Sequence, residues 1–166
     1  MRTMLLCLLV TACGKGGGGD DWTHRPIKAV TATAGKVAFT IELPEGMRQK
    51  ADSGGVEFDF LVDDYVKTPS VHVGVGGYAK TLDDYVKSDP SVDNWVRKQA
   101  LPDGYIATAE NSTYKGKEDY IVYVYRKFGD TVLTCQARVT PWTRGATTKD
   151  KLPLVEQLCL SARPAK

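Results

Sequence analysis

Residues 119–139, DYIVYVYRKFGDTVLTCQARV, carry two runs of alternating side chains around a Gly-Asp pair. Gly129 and Asp130 suit a two-residue hairpin turn with glycine first, a geometry whose twist matches that of the flanking strands. That turn dictates a register. Val124 falls opposite Cys135 and Val122 opposite Ala137, apolar against apolar, while Tyr123 faces Gln136 and Tyr125 faces Thr134 on the other side. A slip of one residue would turn every one of these side chains to the wrong face. The chain is therefore expected to build an antiparallel sheet with one strongly apolar face around this hairpin.

Other segments follow the same period. KVAFTIELPEG alternates Val37, Phe39, Ile41 and Leu43 against polar or small residues and stops at Pro44, and GGVEFDFLV repeats the pattern through Val56, Phe58, Phe60 and Val62. SVHVGVGGY and GYIATAENS read as further strands. Helical spacing appears in TLDDYVKS and in PSVDNWVRKQA, with Thr81 and Ser91 placed as N-caps and Pro90 at the opening of the second. The last periodic stretch, KLPLVEQLCLS, sets Leu152, Val155, Leu158 and Cys159 on one helical face. The expected fold class is α+β: an antiparallel sheet of about six strands packed with a middle helical segment over 81–100 and a C-terminal helix.

With 166 residues, 42% hydrophobic and 25% charged, the chain supports one globular domain with a core. Its 22 basic and 20 acidic residues nearly cancel, and no basic cluster interleaved with aromatics marks a nucleic-acid surface. The amino terminus reads as a processing signal. Arg2 precedes an apolar run over 4–10, and the run is far shorter than the roughly 20 residues that cross a bilayer.

Val10-Thr11-Ala12-Cys13, followed by a glycine tract, resembles the lipobox of bacterial lipoproteins. The resemblance covers the first 13 to 21 residues. It implies cleavage between Ala12 and Cys13, a diacylglyceryl group on the Cys13 thiol, a further acyl chain such as palmitate on the new amino terminus, and residence in the cell envelope. Glycine after the cysteine, with no aspartate there, implies sorting to the outer membrane of a Gram-negative cell. Two or more chains make such an anchor effectively permanent. The expected organisation is a signal peptide over 1–12, a lipidated cysteine and flexible tether over 13–26, and a single domain over 27–166.

If Cys7 leaves with the signal and Cys13 carries lipid, Cys135 and Cys159 remain as an even pair in an oxidising compartment. Cys135 alternates inward on its strand, and Cys159 lies on the apolar face of the last helix. A disulfide between them is expected, the alternative being two buried free thiols that act as small hydrophobes. The order of elements, FTIELPEGM opening the domain and a bond to the last helix together resemble the PsbP-like fold across residues 28–163. This α/β sandwich is shared by photosystem accessory proteins and many small bacterial lipoproteins. It implies a non-enzymatic accessory or binding role and brings no motif residues to transfer.

The search for chemistry is mostly negative. His24 falls in the tether and His72 alternates away from Val71 and Val73, which makes it a solvent-facing strand residue. No serine stands in a nucleophile elbow, and no histidine or cysteine spacing suits zinc. Asp63-Asp64 and Asp83-Asp84 lack the glycine and terminal glutamate of a calcium loop and read as solvated turn and helix-start carboxylates. No metal and no cofactor is expected. Asn111-Ser112-Thr113 matches a glycosylation sequon but reads only as a polar turn. VDDYVKTPSV at 62–71 echoes LDDYVKSDPSV at 82–92, the first expected in a turn and the second at a helix start; two copies are too few for a repeat architecture.

One candidate surface remains. Tyr123 and Tyr125, with Gln136 and Arg138 across the hairpin, form a polar-aromatic strip able to grip a glycan, a peptide or an envelope protein. The competing reading is a sheet face partly covered by the 81–100 helix, with Trp95 packed on it. The function expected is that of a membrane-tethered binding or accessory domain. The alternative is a small envelope hydrolase with its site near His72.

Overall fold

A computed structural model describes residues 22–62, 65–77, 81–88, 94–110, 119–139 and 149–165. The lipobox, Asp63-Asp64, Ser91, Pro90 and the Asn111 sequon lie outside them.

Among the described residues, ten strands form two antiparallel sheets. In chain order, β1 is Ile27–Ala34, β2 Val37–Pro44, β3 Arg48–Asp52, β4 Gly55–Val62 and β5 Tyr65–Val75. The helix α1, Leu82–Ser88, precedes β6 Asn94–Leu101, β7 Gly104–Glu110, β8 Tyr120–Phe128 and β9 Thr131–Val139. The helix α2, Leu152–Leu160, and the two-residue β10, Arg163–Pro164, complete the chain. The large sheet runs β3-β4-β5-β9-β8-β7-β6 and the small one β1-β2-β10. The sheet content thus exceeds the expected six strands, and the class is mostly antiparallel β with two short helices.

The β8–β9 hairpin has the register its turn chemistry demands: Phe128 pairs with Thr131 across Gly129-Asp130, Val124 with Cys135, and Tyr123 with Gln136. Gly129 takes φ 60, a left-handed conformation that glycine adopts at little steric cost. The inward-facing row then extends sideways, from Val56 to Val73, Cys135, Val124 and Ile106. These side chains, together with Phe39, Ile41 and Leu43 of β2 and Val155, Leu158 and Cys159 of α2, make the main core. Cys135 and Cys159 are joined in a disulfide with Cα atoms 5.4 Å apart, pinning α2 to the centre of the large sheet.

Two expectations are corrected. Residues 94–101 form an edge strand, not the second half of a helix: β7 has an open side, and pairing from Asn94↔Glu110 to Leu101↔Gly104 supplies its backbone partners. The signal was present in Pro102-Asp103-Gly104, a hairpin turn sequence. Gly104 is required there, because a Cβ would lie 1.8 Å from the Tyr125 carbonyl oxygen. Second, Tyr65, Val66 and Lys67 of the DYVK echo, expected in a turn, lie in β5, whereas Tyr85, Val86 and Lys87 lie in α1. Trp22, within the stretch expected as a tether, is buried in the main core.

Candidate functional site

The outer face of the large sheet holds the aromatic strip. Tyr123 and Tyr125 project there from β8, and Tyr105 of β7 lies beside Tyr125, with ring centroids 5.2 Å apart and planes 2° from parallel. Above them sits α1. Its amino end is capped by Thr81: the Asp84 N–H donates to the Thr81 hydroxyl at 3.1 Å, and the hydroxyl donates to the Asp84 carboxylate at 2.7 Å. Thr81 therefore caps the helix as its sequence position predicts, and Asp84 serves that cap.

Tyr85 is the buried residue of α1. Its ring centroid stands 5.1 Å from Tyr123, 5.5 Å from Tyr105 and 5.9 Å from Trp95. Tyr123 and Tyr125 are each only 8% exposed. The strip is thus a second, smaller core and not an open aromatic surface. Its cover is the seven-residue α1, with Trp95 entering from the edge strand β6 rather than from a helix. Aromatic rings placed edge-on and offset hold together beyond their buried area, which is how so short a helix stays docked.

The other two members of the strip are partly exposed but engaged. Gln136 lies between Tyr123 and His72 in one cross-strand row. Arg138 is held by the fully buried Asp119, with Nη2 2.7 Å from Oδ2. The four candidate residues are therefore adjacent, as the hairpin requires, while the two tyrosines are closed to a partner.

His72 lies on the same outer face, on β5, and its side chain is 33% exposed. Its Nε2 stands 3.6 Å from a carboxylate oxygen of Asp52. The Ser53 backbone N–H donates to Asp52 at 2.6 Å and, with the nearby His72, holds that carboxyl below its ordinary range. The two core cysteines are committed to their disulfide. Among the described residues no group of three or more His, Cys, Asp or Glu converges as a metal site would require, and no helix is long and apolar enough to cross a membrane.

Polar groups inside the molecule serve the packing of α2. Glu156 is buried, and its Oε1 accepts the Thr108 hydroxyl at 2.8 Å while Oε2 meets the Arg97 guanidinium. This trio is not legible in the sequence, because Thr108, Arg97 and Glu156 come together only once β6 is a strand beside β7.

No family model and no curated protein matches the sequence. Solved structures do match the fold. Mog1p, a Ran-binding protein of Saccharomyces cerevisiae, superimposes with a TM-score of 0.58 at 10% identity, over 84% of this chain and 95% of its own. Cyanobacterial PsbP (CyanoP) from Synechocystis superimposes with a TM-score of 0.50 at 13% identity, over 90% of this chain and 96% of its own. The class is thus a PsbP- and Mog1-like fold. At these identities the likeness is one of architecture, and residues of those proteins are not carried over.

Proposed function

We propose that this chain is an envelope lipoprotein, held at a membrane by a diacylglyceryl group on Cys13, whose PsbP-like domain serves as a non-enzymatic binding or accessory module. The disulfide between Cys135 and Cys159 carries this reading. Such bonds persist in oxidising compartments, as export would require. With those two cysteines paired, Cys13 has only Cys7 left as an intramolecular partner, and Cys7 lies on the peptide that processing would remove.

Two further observations support the reading. Trp22 packs into the core, and the eight residues 14–21 would link it to the anchoring cysteine; their fully extended reach is at most about 28 Å. The domain would then work close to the bilayer, in the outer membrane if the glycine after the cysteine acts as a sorting signal. A Ran-binding protein among the fold neighbours makes a protein partner a reasonable ligand class. A hydrolase centred on His72 has less in its favour, since the residue paired with it is an exposed carboxylate beside a turn.

Intact-mass measurement of the full chain extracted from membranes tests the anchor. Wild type should start at Cys13 and carry the added mass of diacylglyceryl and acyl groups, while Cys13→Ala should keep its leader and lose the lipid. A wild-type mass equal to that of the bare polypeptide overturns the anchor.

A further inference from the structure

The two sheets expose four strand edges, and three of them are guarded against pairing. β10 has two residues and ends in Pro164. β6 carries Arg97 and Lys98 and breaks its register between Trp95 and Arg97. β3 has five residues, three of them the charged Arg48, Lys50 and Asp52. Short length, charge, proline and bulges are the usual means of keeping an edge unpaired.

β1 has only one of these protections, a single charge near its start. It runs for eight residues in unbroken register with β2, without proline, and Ala29-Val30-Thr31-Ala32-Thr33-Ala34 bears no charge. Its one ion, Lys28, is paired with Glu45. Residues in an antiparallel pair alternate between exchanging hydrogen bonds and directing their backbone outward. The Glu45 N–H donates to the Pro26 carbonyl at 2.8 Å, so the even-numbered residues bond to β2. Ile27, Ala29, Thr31 and Thr33 therefore point their N–H and C=O groups to the open side, and among the described residues no strand pairs with β1 there.

A floor lies beside that edge. β1 packs over β4 and β5 and β10 over β9, so the direction past β1 leads over β3. Every residue of β3 is exposed, its inner face included. That face presents Gln49 and Ala51, opposite Phe58 and Val56. The result is a step: the open backbone edge of residues 27–33, about 23 Å long, as the wall, and the Gln49 and Ala51 face of the five-residue β3 as the floor.

A second copy of this chain does not fit the step. Antiparallel pairing of two β1 edges needs a two-fold axis normal to the sheet, which would drive β3 of each copy into the space of the other's β4. A lone strand has no second layer to collide. We propose that the β1 edge accepts one extended, uncharged segment of a partner protein as a fourth strand of the small sheet. Backbone hydrogen bonds from Ala29, Thr31 and Thr33 supply the attachment, and alternate side chains of the guest rest on Gln49 and Ala51. An ion in the guest placed over Gln49 and Ala51 would find no counter-charge on that face, which selects threonine, valine and alanine over charged residues there. This deepens the binding reading above and rests on it for the existence of a partner; it does not depend on the lipid at Cys13.

The probe is a capped eight-residue peptide of alternating threonine and valine, added to the isotope-labelled full chain. In the free chain the Ala29, Thr31 and Thr33 amides should exchange with solvent as open groups. Saturating peptide should slow all three about tenfold or more, and shift Gln49 and Ala51. Thr31→Pro removes one outward N–H at an exposed edge position and should weaken the peptide about tenfold. If that variant fails to fold, Thr33→Asp places a charge on the edge and should do the same. Amides already protected in the free chain, peptide shifts that map to another edge, or undiminished binding by the folded variant each overturn the proposal. The anchor fails or stands on the Cys13 mass alone, so the two results separate.

Discussion

Thr108 of β7 donates its hydroxyl to Glu156 of α2 across 2.8 Å, and both side chains are buried. This bond, together with Arg97 on the other carboxylate oxygen, fixes the rotation of α2 on the large sheet and so sets Cys159 toward Cys135. Thr108→Val keeps the shape and removes the donor, leaving a buried carboxylate oxygen short of a partner. The loss should be about 1–3 kcal/mol, read from urea unfolding. In a Glu156→Leu background the same change should cost almost nothing. An equal loss in both backgrounds would mean the hydroxyl stabilises the fold in some other way.

The disulfide closes a loop with a sequence separation of 24. Replacing Cys135 and Cys159 together by alanine should lower the unfolding free energy by about 3 kcal/mol, and either single replacement should lower it nearly as much. The urea midpoint reports this directly. If the double variant matched wild type, the bond would contribute nothing to stability.

Tyr123 and Tyr85 meet in the smaller core yet should fail differently when truncated. Tyr123→Ala hollows the centre of the large sheet and should cost about 3 kcal/mol in global unfolding. Tyr85→Ala removes the buried residue of a short helix and should release α1 locally. Hydrogen exchange separates the two cases: in the Tyr85 variant the α1 amides lose protection while those of the β8–β9 hairpin keep it. A Tyr123→Ala protein as stable as wild type would restore the open-strip reading.

The Asp52 carboxyl titrates below its ordinary range, first because of the Ser53 backbone N–H and then, less strongly, because of His72. A folded-state pKa below the unfolded one favours the fold above the unfolded value, and this contribution is lost as pH falls through the folded value. His72→Ala should raise the Asp52 pKa part of the way back, since the Ser53 bond stays. Carbon-detected titration of the side-chain carboxyl measures it. No change on losing His72 would show that the pair, 3.6 Å apart, is not coupled.

Some of this architecture is legible in short windows because local chemistry there has one solution. Gly129-Asp130 admits one turn, and that turn allows one register for Val122, Val124, Cys135 and Ala137. The spacing of Leu152, Val155, Leu158 and Cys159 serves a helix and nothing else, and the Thr81 hydroxyl has a natural acceptor role at the start of α1. Even the two cysteines that meet in the core could be identified from alternation on a strand and periodicity on a helix.

Other assignments have no local answer. Tyr-Val-Lys is strand at 65–67 and helix at 85–87, so its backbone state depends on what lies alongside it. Asn94–Leu101 has residues that satisfy either period, and the open side of β7 draws it into the sheet. Tyr123 and Tyr125 were certain to share a face, but whether that face met solvent depended on α1, some forty residues earlier in the chain. Which side chains lie together along one strand or helix can be read from neighbouring residues, because the backbone period fixes their common face. Which faces are covered and which edges stay open cannot, because burial and backbone pairing are settled between segments far apart in the chain.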